Sequence, residues 1–166
     1  MTTQTTPAAT ADVVAEIDAG LGRLAEAVTR LADGDLHRAH SGGGWTLAQV
    51  ISHLNVCTLI WLGDLTRLQH DPQLRFFFRE EIGHDLCGYP PPSVDLAAGQ
   101  LASTRRTLTT AVAQASAAVA DRTVEIPDLG TMTVREWATI IRMHTLGHVD
   151  QAFDIMHDRG FAPEGF

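Results

Sequence analysis

Lysine is absent from this chain of 166 residues, and all of its basic side chains are arginine. A Schiff-base lysine or a P-loop lysine therefore cannot be the centre of its chemistry. Runs of basic residues are also lacking, and the formal net charge is -8 at pH 7. Because that charge would repel a phosphate backbone, we expect no nucleic-acid partner.

Cysteine and long apolar runs are scarce. Cys57 and Cys87 are too few for a disulfide framework and fit a reducing compartment, so we expect a cytoplasmic location. No apolar run is long enough to span a bilayer, and residues 1–10 lack the basic start and apolar stretch of a signal peptide. With 45% hydrophobic residues in this length, we expect a single domain over residues 1–166 and no membrane partner.

Apolar residues at helical spacing predict two helices in the first half of the chain. Helix one starts at Thr10 and is expected to end in Asp33-Gly34-Asp35, before the glycine-rich stretch 41–44. Helix two has a capping box of Thr46 and Gln49, and Trp45 and Val50 stand at the staple positions before and after the cap. It is predicted to run to about His70, where a proline follows.

The second half of the chain predicts two more helices, which makes the fold all-α. Helix three is expected from Ser93 or Asp95 to near Asp121, and helix four from the capping box of Thr133 and Glu136 to about Asp158. A short link over 124–130 has strand-like character. The long connection 72–92 suggests a crossover along the bundle or a lid over a site. Phe76–Phe78 in this connection could roof the pocket or form a subunit contact. The expected core face of helix four comprises Trp137, Ile140, Ile141, His144, His148 and Phe153.

Three histidines are predicted to point inward from helices two and four. His53 follows its cap by roughly two turns, and His144 and His148 follow theirs by roughly three and four turns. A pair four residues apart can place two imidazole nitrogens on one ion, and a third histidine from a facing helix completes a three-nitrogen site. The remaining coordination positions of the ion would stay open for water or substrate, as in a catalytic metal site.

The alternative for each histidine is a hydrogen-bonded core residue, which is the more common role of a single inward histidine. Three buried imidazoles each need a partner, and one metal ion would satisfy all three. Thr145 stands where the catalytic glutamate of a His-Glu-x-x-His motif would be, so a metalloprotease is disfavoured.

The segments Trp45-Thr46 with His53-Leu54, Thr133 to Trp137, and His144-x-x-x-His148-Val149-x-Gln151 resemble the DinB/YfiT superfamily of metal-binding four-helix bundles. The resemblance implies an up-down-down-up bundle with a long crossover between helices two and three. It also implies that His53, His144 and His148 hold one divalent metal, for which zinc and nickel are our first expectations. A homodimer agrees with the habit of the family.

Relatives in this superfamily include mycothiol-dependent maleylpyruvate isomerase and the mycothiol or bacillithiol S-transferases, in which a divalent metal activates a thiol. The isomerase pattern has a glutamate where this chain has His144, which favours the S-transferase branch. The expected partners are a small thiol such as mycothiol and an electrophile. A metal-dependent hydrolase and a non-catalytic, stress-associated metal-binding bundle remain alternatives.

Other residues near these segments were weighed for supporting roles. Cys57 lies one turn after His53 and is either a further metal ligand or a small core residue. Gln151 lies one turn after His148 and either orients a ligand or packs at the surface. His84, in the long connection, is the one loop histidine with a suggested role in proton transfer. No catalytic residue is assigned beyond the metal ligands.

Overall fold

The computed structural model describes residues 10–71, 88–119, 121–126 and 130–166. Within these ranges the chain forms four long helices: α1 Thr10–Val28, α2 Leu47–His70, α3 Val94–Val119 and α4 Val134–Asp158. The prediction of an all-α four-helix bundle is confirmed. None of the described helices is long and apolar enough to cross a membrane.

Pairs of contacting residues show the direction of each helix. Glu16 and Gly20 of α1 meet Arg142 and Leu146 of α4 in the same order, so α1 and α4 run parallel. Asp18 of α1 pairs with Arg105 of α3, whereas Asp33, just after α1, pairs with Val94, so α1 and α3 run antiparallel. Trp45, just before α2, stacks on His148 of α4, whereas Trp61 of α2 packs against Trp137, so α2 and α4 run antiparallel as well. The parallel α2 and α3 run opposite to the other two helices.

The bundle therefore has the expected up-down-down-up order. Among the described residues, α1 and α2 each pack against both α3 and α4, so α1 lies diagonally opposite α2, and α3 lies diagonally opposite α4. At the turn after α1, Asp33 accepts a hydrogen bond from the backbone of Val94 at 2.8 Å. This bond places the end of α1 beside the start of α3.

Helix α1 ends earlier than predicted. Its last hydrogen bonds tighten to i→i+3 spacing, from Arg30 N to Ala27 O and from Leu31 N to Val28 O. A short 3-10 helix, Asp33–His37, follows and buries Leu36 completely. The prediction that α1 extends to Asp33 was wrong because the tight turn inserts Leu36 into the core before the chain reaches α2.

Both predicted capping boxes are present. The Thr46 hydroxyl accepts from the backbone N–H of Gln49 at 3.2 Å, and the Gln49 side chain accepts from that of Thr46 at 2.8 Å. Thr133 and Glu136 form the same pair of bonds at 3.2 and 2.6 Å. These bonds fix the first turns of α2 and α4 and hence the direction of every side chain that follows.

The link before α4 is a β-hairpin. Strands β1 Thr123–Ile126 and β2 Gly130–Thr133 pair antiparallel, and β2 continues directly into α4. Gly130 has a φ of +84°, a conformation that glycine adopts without strain. The strand-like character expected of this link is confirmed.

The connection between α2 and α3 is long, as predicted, but residues 72–87 lie outside the described part of the chain. The expectations for Phe76–Phe78, His84 and Cys87 fall within that gap. Gly88, at its end, has a φ of +56° and lies so close to α2 that a β-carbon would stand 2.6 Å from Val56 Cγ2. The chain therefore returns to the middle of α2 before α3 begins.

The buried stripe of α4 differs from the predicted core face. Trp137 and Ile141 are buried as expected, whereas Ile140, His144, His148 and Phe153 are only partly buried. The stripe continues instead through Thr145, Val149, Ala152, Ile155 and Met156. His144 and His148 thus lie at the edge of the core, between the packed interior and the surface.

Candidate metal centre

Three histidines from two helices come together where α2 faces α4. One ring nitrogen from each of His53, His144 and His148 lies within 4.8 Å of the others. The Nε2 atoms of His53 and His144 are 3.2 Å apart, and the ring centroids of His148 lie 4.5 Å from those of both other rings. We call these three residues the histidine triad.

The local structure of the two helices explains the convergence. His144 and His148 are one turn apart on α4 and so project from the same side. His53 lies in the second turn of α2, which runs antiparallel to α4. It is fully buried, whereas His144 and His148 are partly exposed. The triad therefore has a closed side toward the core and an open side along α4.

Two indole rings enclose the triad. Trp45, which precedes the cap of α2, stacks on His148 with a centroid distance of 5.8 Å and an interplanar angle of 20°. It also contacts His53 at 4.7 Å. On the other side Trp61 packs edge-on against His144 at 4.9 Å. These contacts limit the rotation of the imidazoles and remove water from two of their faces.

Gln151 and Cys57 also contact the triad. His148 Nδ1 lies 2.7 Å from Gln151 Oε1. Cys57 Sγ lies 3.4 Å from His53 Nε2, in a buried position one turn along α2. Of the two roles weighed for Gln151, the contact with a triad histidine is the one present. Cys57 forms part of the wall on the His53 side.

The electrostatics of the site favour neutral imidazoles. Burial, followed by the neighbouring His148 and His53, lowers the pKa of His144 to about 3. Burial also lowers the pKa of His148, although its hydrogen bond to Gln151 acts in the opposite direction. Burial raises the pKa of the Cys57 thiol to about 12. Neutral imidazole is the form that binds a metal ion.

The donor set and its spacing fit a divalent transition-metal ion. Two nitrogens bound tetrahedrally at about 2.1 Å from a metal would be about 3.4 Å apart, close to the observed separation of 3.2 Å between His53 and His144. Imidazole nitrogen suits zinc, nickel, copper and iron. No aspartate or glutamate among the described residues joins the cluster. An ion held by three neutral ligands would keep its full charge and would favour an anionic fourth ligand.

Two arginines form ion pairs with α1. Arg105 forms a bidentate ion pair with Asp18, and Arg142 pairs with Glu16. These ion pairs connect α3 and α4 to α1. Trp45 and Trp61 were not predicted as site residues, although Trp61 lies two turns after His53 on the same stripe of α2. That helical spacing was the feature of the sequence that could have identified Trp61 as a site residue.

A comparison with solved structures supports the fold. The chain is similar to YfiT from Bacillus subtilis, described as a probable metal-dependent hydrolase with an unusual four-helix bundle topology. The TM-score is 0.72 at 15% sequence identity, and the match covers 98% of this chain and 94% of the other. At this identity the likeness establishes a shared fold. No curated protein matches the sequence.

A family model covers most of the sequence as well. It describes the DinB superfamily and matches residues 16–152, a range that contains α2, α3 and all three histidines of the triad. The resemblance drawn from the tryptophan, threonine and histidine motifs is thereby confirmed. The chain belongs to the DinB superfamily.

Proposed function

We propose that this protein is a metal-dependent enzyme that transfers a small thiol of the mycothiol type to an electrophilic molecule. His53, His144 and His148 would hold one divalent ion, with zinc and nickel as the first candidates. The observation that carries the proposal is the convergence of one nitrogen from each imidazole within 4.8 Å. When bound, the ion would act as a Lewis acid that lowers the pKa of a coordinated thiol or water.

The residues around the triad support a site that stays open on one side. Trp45, Trp61 and Cys57 occupy its flanks, while the partial exposure of His144 and His148 leaves access along α4. Three protein ligands with free coordination positions are typical of catalytic metal sites, whereas structural sites are closed by four. This argues against the purely structural role that was the non-catalytic alternative.

The charge of the site supports a thiol substrate. With three neutral ligands and no carboxylate in the described cluster, a divalent ion favours an anion such as a thiolate. Attack by a thiolate on an electrophile with a good leaving group requires no protein acid. Hydrolysis of an amide, in contrast, requires a proton donor for the leaving group. No carboxyl group of the described residues belongs to the cluster, so none is available there as that proton donor.

A hydrolase is the second candidate, because the structurally similar YfiT is described as a probable metal-dependent hydrolase. Water would then replace the thiol as the nucleophile, and the same three histidines would serve. The two candidates share the metal site and differ only in the molecule that is activated.

One assay series separates these functions. The purified protein is analysed for bound metal, then loaded with Zn²⁺ or Ni²⁺ and incubated with a chlorobimane and mycothiol, bacillithiol or glutathione. The same preparation is tested on a panel of activated esters and amides. His148→Ala removes a triad nitrogen, and His157→Ala, an exposed histidine of the same helix, is the matched control.

The transferase proposal expects thiol-dependent bimane conjugation that His148→Ala abolishes and His157→Ala retains. Loaded protein that conjugates none of the thiols overturns it. Ester or amide hydrolysis in that same preparation would assign the hydrolase function. Protein that takes up no stoichiometric metal would overturn both.

A further inference from the structure

Gln151 makes a close polar contact to a triad nitrogen from outside the triad. Its Oε1 lies 2.7 Å from His148 Nδ1, within one turn of α4, and both side chains are partly buried. An amide oxygen has lone pairs and no proton, so this contact is a hydrogen bond only when Nδ1 carries the hydrogen. The bond therefore selects one of the two neutral forms of the imidazole.

We infer that Gln151 is a positioning residue that fixes His148 as the Nδ1–H tautomer and directs its Nε2 lone pair at the metal position. This inference rests on the proposed metal site. An imidazole that binds a metal usually donates its other N–H to an acceptor, which orients the ring and increases its basicity as a ligand. Gln151 supplies that acceptor for His148.

The other triad histidine of α4, His144, is oriented differently. His144 Nδ1 is buried, and the described part of the chain offers it no hydrogen-bond partner. His144 is instead held by ring contacts, to Trp61 at 4.9 Å and to His148 at 4.5 Å. The two ligands of α4 are thus oriented by different means, and only His148 has its tautomer set by a polar side chain.

Substitutions of Gln151 separate the acceptor role from a packing role. Glu is almost the same size and can only accept, so Gln151→Glu should preserve the Nδ1–H tautomer. Gln151→Leu keeps the approximate volume and removes the acceptor. If the amide instead donated its NH₂ group to Nδ1, Glu would fail in the same way as Leu. Asp154→Asn, one turn further along α4 at an exposed position, is the control.

The first measurement uses metal-free protein. Long-range proton–nitrogen correlation spectra at neutral pH should show His148 with a protonated Nδ1 and a bare Nε2. The Gln151→Leu variant should show a mixture of tautomers, and Gln151→Glu should match the parent protein. A His148 found as the Nε2–H tautomer in the parent protein overturns the inference.

The second measurement is the affinity for Zn²⁺ by competition with a chelating dye. Loss of such an acceptor typically weakens binding 10- to 100-fold, and we expect about that loss for Gln151→Leu. Gln151→Glu should bind at least as tightly as the parent protein, and Asp154→Asn should bind equally well. Equal affinity in all four proteins would overturn the inference.

The two measurements also separate this inference from the proposed function. A parent protein that binds no Zn²⁺ refutes the metal site, whereas the tautomer of His148 is read without any metal. If Gln151→Leu loses helical circular dichroism, the Gln151→Glu variant and the parent spectrum still decide the question.

Discussion

The indole of Trp45 lies parallel to the imidazole of His148, with ring centroids 5.8 Å apart. Trp45 precedes the cap of α2 and His148 lies in the middle of α4, so this contact is one of several that join the two helices carrying the triad. It also places a fluorophore beside the proposed metal position.

Trp45 should therefore report metal binding. Ni²⁺ and Co²⁺ quench indole fluorescence at short range, whereas Zn²⁺ does not, so we expect saturable quenching by the first two ions at one equivalent. Trp45→Phe should remove a large part of the quenching. Undiminished quenching in His148→Ala would show that the ion binds elsewhere.

The metal-free protein should lose stability as the pH falls below 6.5. An unfolded chain protonates His144 near its ordinary pKa of 6.5, whereas burial and the neighbouring histidines hold the folded-state pKa at about 3. The unfolded state then binds more protons, so the free energy of unfolding decreases between these two pH values. We expect a loss on the order of 1–2 kcal/mol for this residue by pH 5.

Chemical denaturation at pH 7.5 and pH 5 after metal removal measures this effect. His144→Leu cannot take up the proton and should show a smaller difference between the two pH values. An equally steep pH dependence in His144→Leu would contradict the assignment.

Cys57 should be unreactive in the folded protein. Its thiol is buried, and burial raises its pKa to about 12, so little of the nucleophilic thiolate exists at pH 8. In a Cys87→Ser background, iodoacetamide should label Cys57 slowly under native conditions and readily in guanidinium chloride. Mass spectrometry gives the labelled fraction, and rapid native labelling would contradict the prediction.

The N-cap of α4 should contribute measurably to stability. Thr133→Ala removes the hydroxyl that accepts from Glu136 N and leaves that donor without its partner. We expect a loss of about 1 kcal/mol in the free energy of unfolding, measured by urea denaturation. Thr133→Ser keeps the acceptor and should stay close to the parent protein. A loss as large in the serine variant would assign the effect to the methyl group.

Gly20 should gain less from replacement by alanine than an unobstructed helical glycine. A β-carbon at Gly20 would stand 2.5 Å from Leu146 Cδ2, so the end of that leucine side chain must move to make room. Alanine normally stabilises a helix by about 0.5–1 kcal/mol relative to glycine, and the repacking of Leu146 offsets part of this gain. Gly99→Ala, with no atom within 4 Å of its β-carbon, should raise the melting temperature more than Gly20→Ala does. An equal rise in both variants would contradict the prediction.

The sequence predicted most of this fold because its signals are local. The two threonine caps fix where α2 and α4 begin, and counting turns from Thr46 and Thr133 brought His53, His144 and His148 to one side. The early end of α1 could not be read from spacing, because the burial of Leu36 depends on contacts with α2. The shift of the α4 stripe toward Thr145 and Val149 has a similar cause, since α4 packs against both α1 and α2.

The loop before α2 is hydrogen-bonded to the C-terminal end of α4. The backbone N–H and the hydroxyl of Ser41 both donate to the carboxylate of Asp158 at 2.6 Å, and hydrogen bonds from Ser41 lower the pKa of that carboxyl. The antiparallel helices α2 and α4 are thus joined by these hydrogen bonds at the surface as well as by their packing in the core. The spacing of the two helices that carry the triad is therefore set in part by hydrogen bonds that no bound ion supplies.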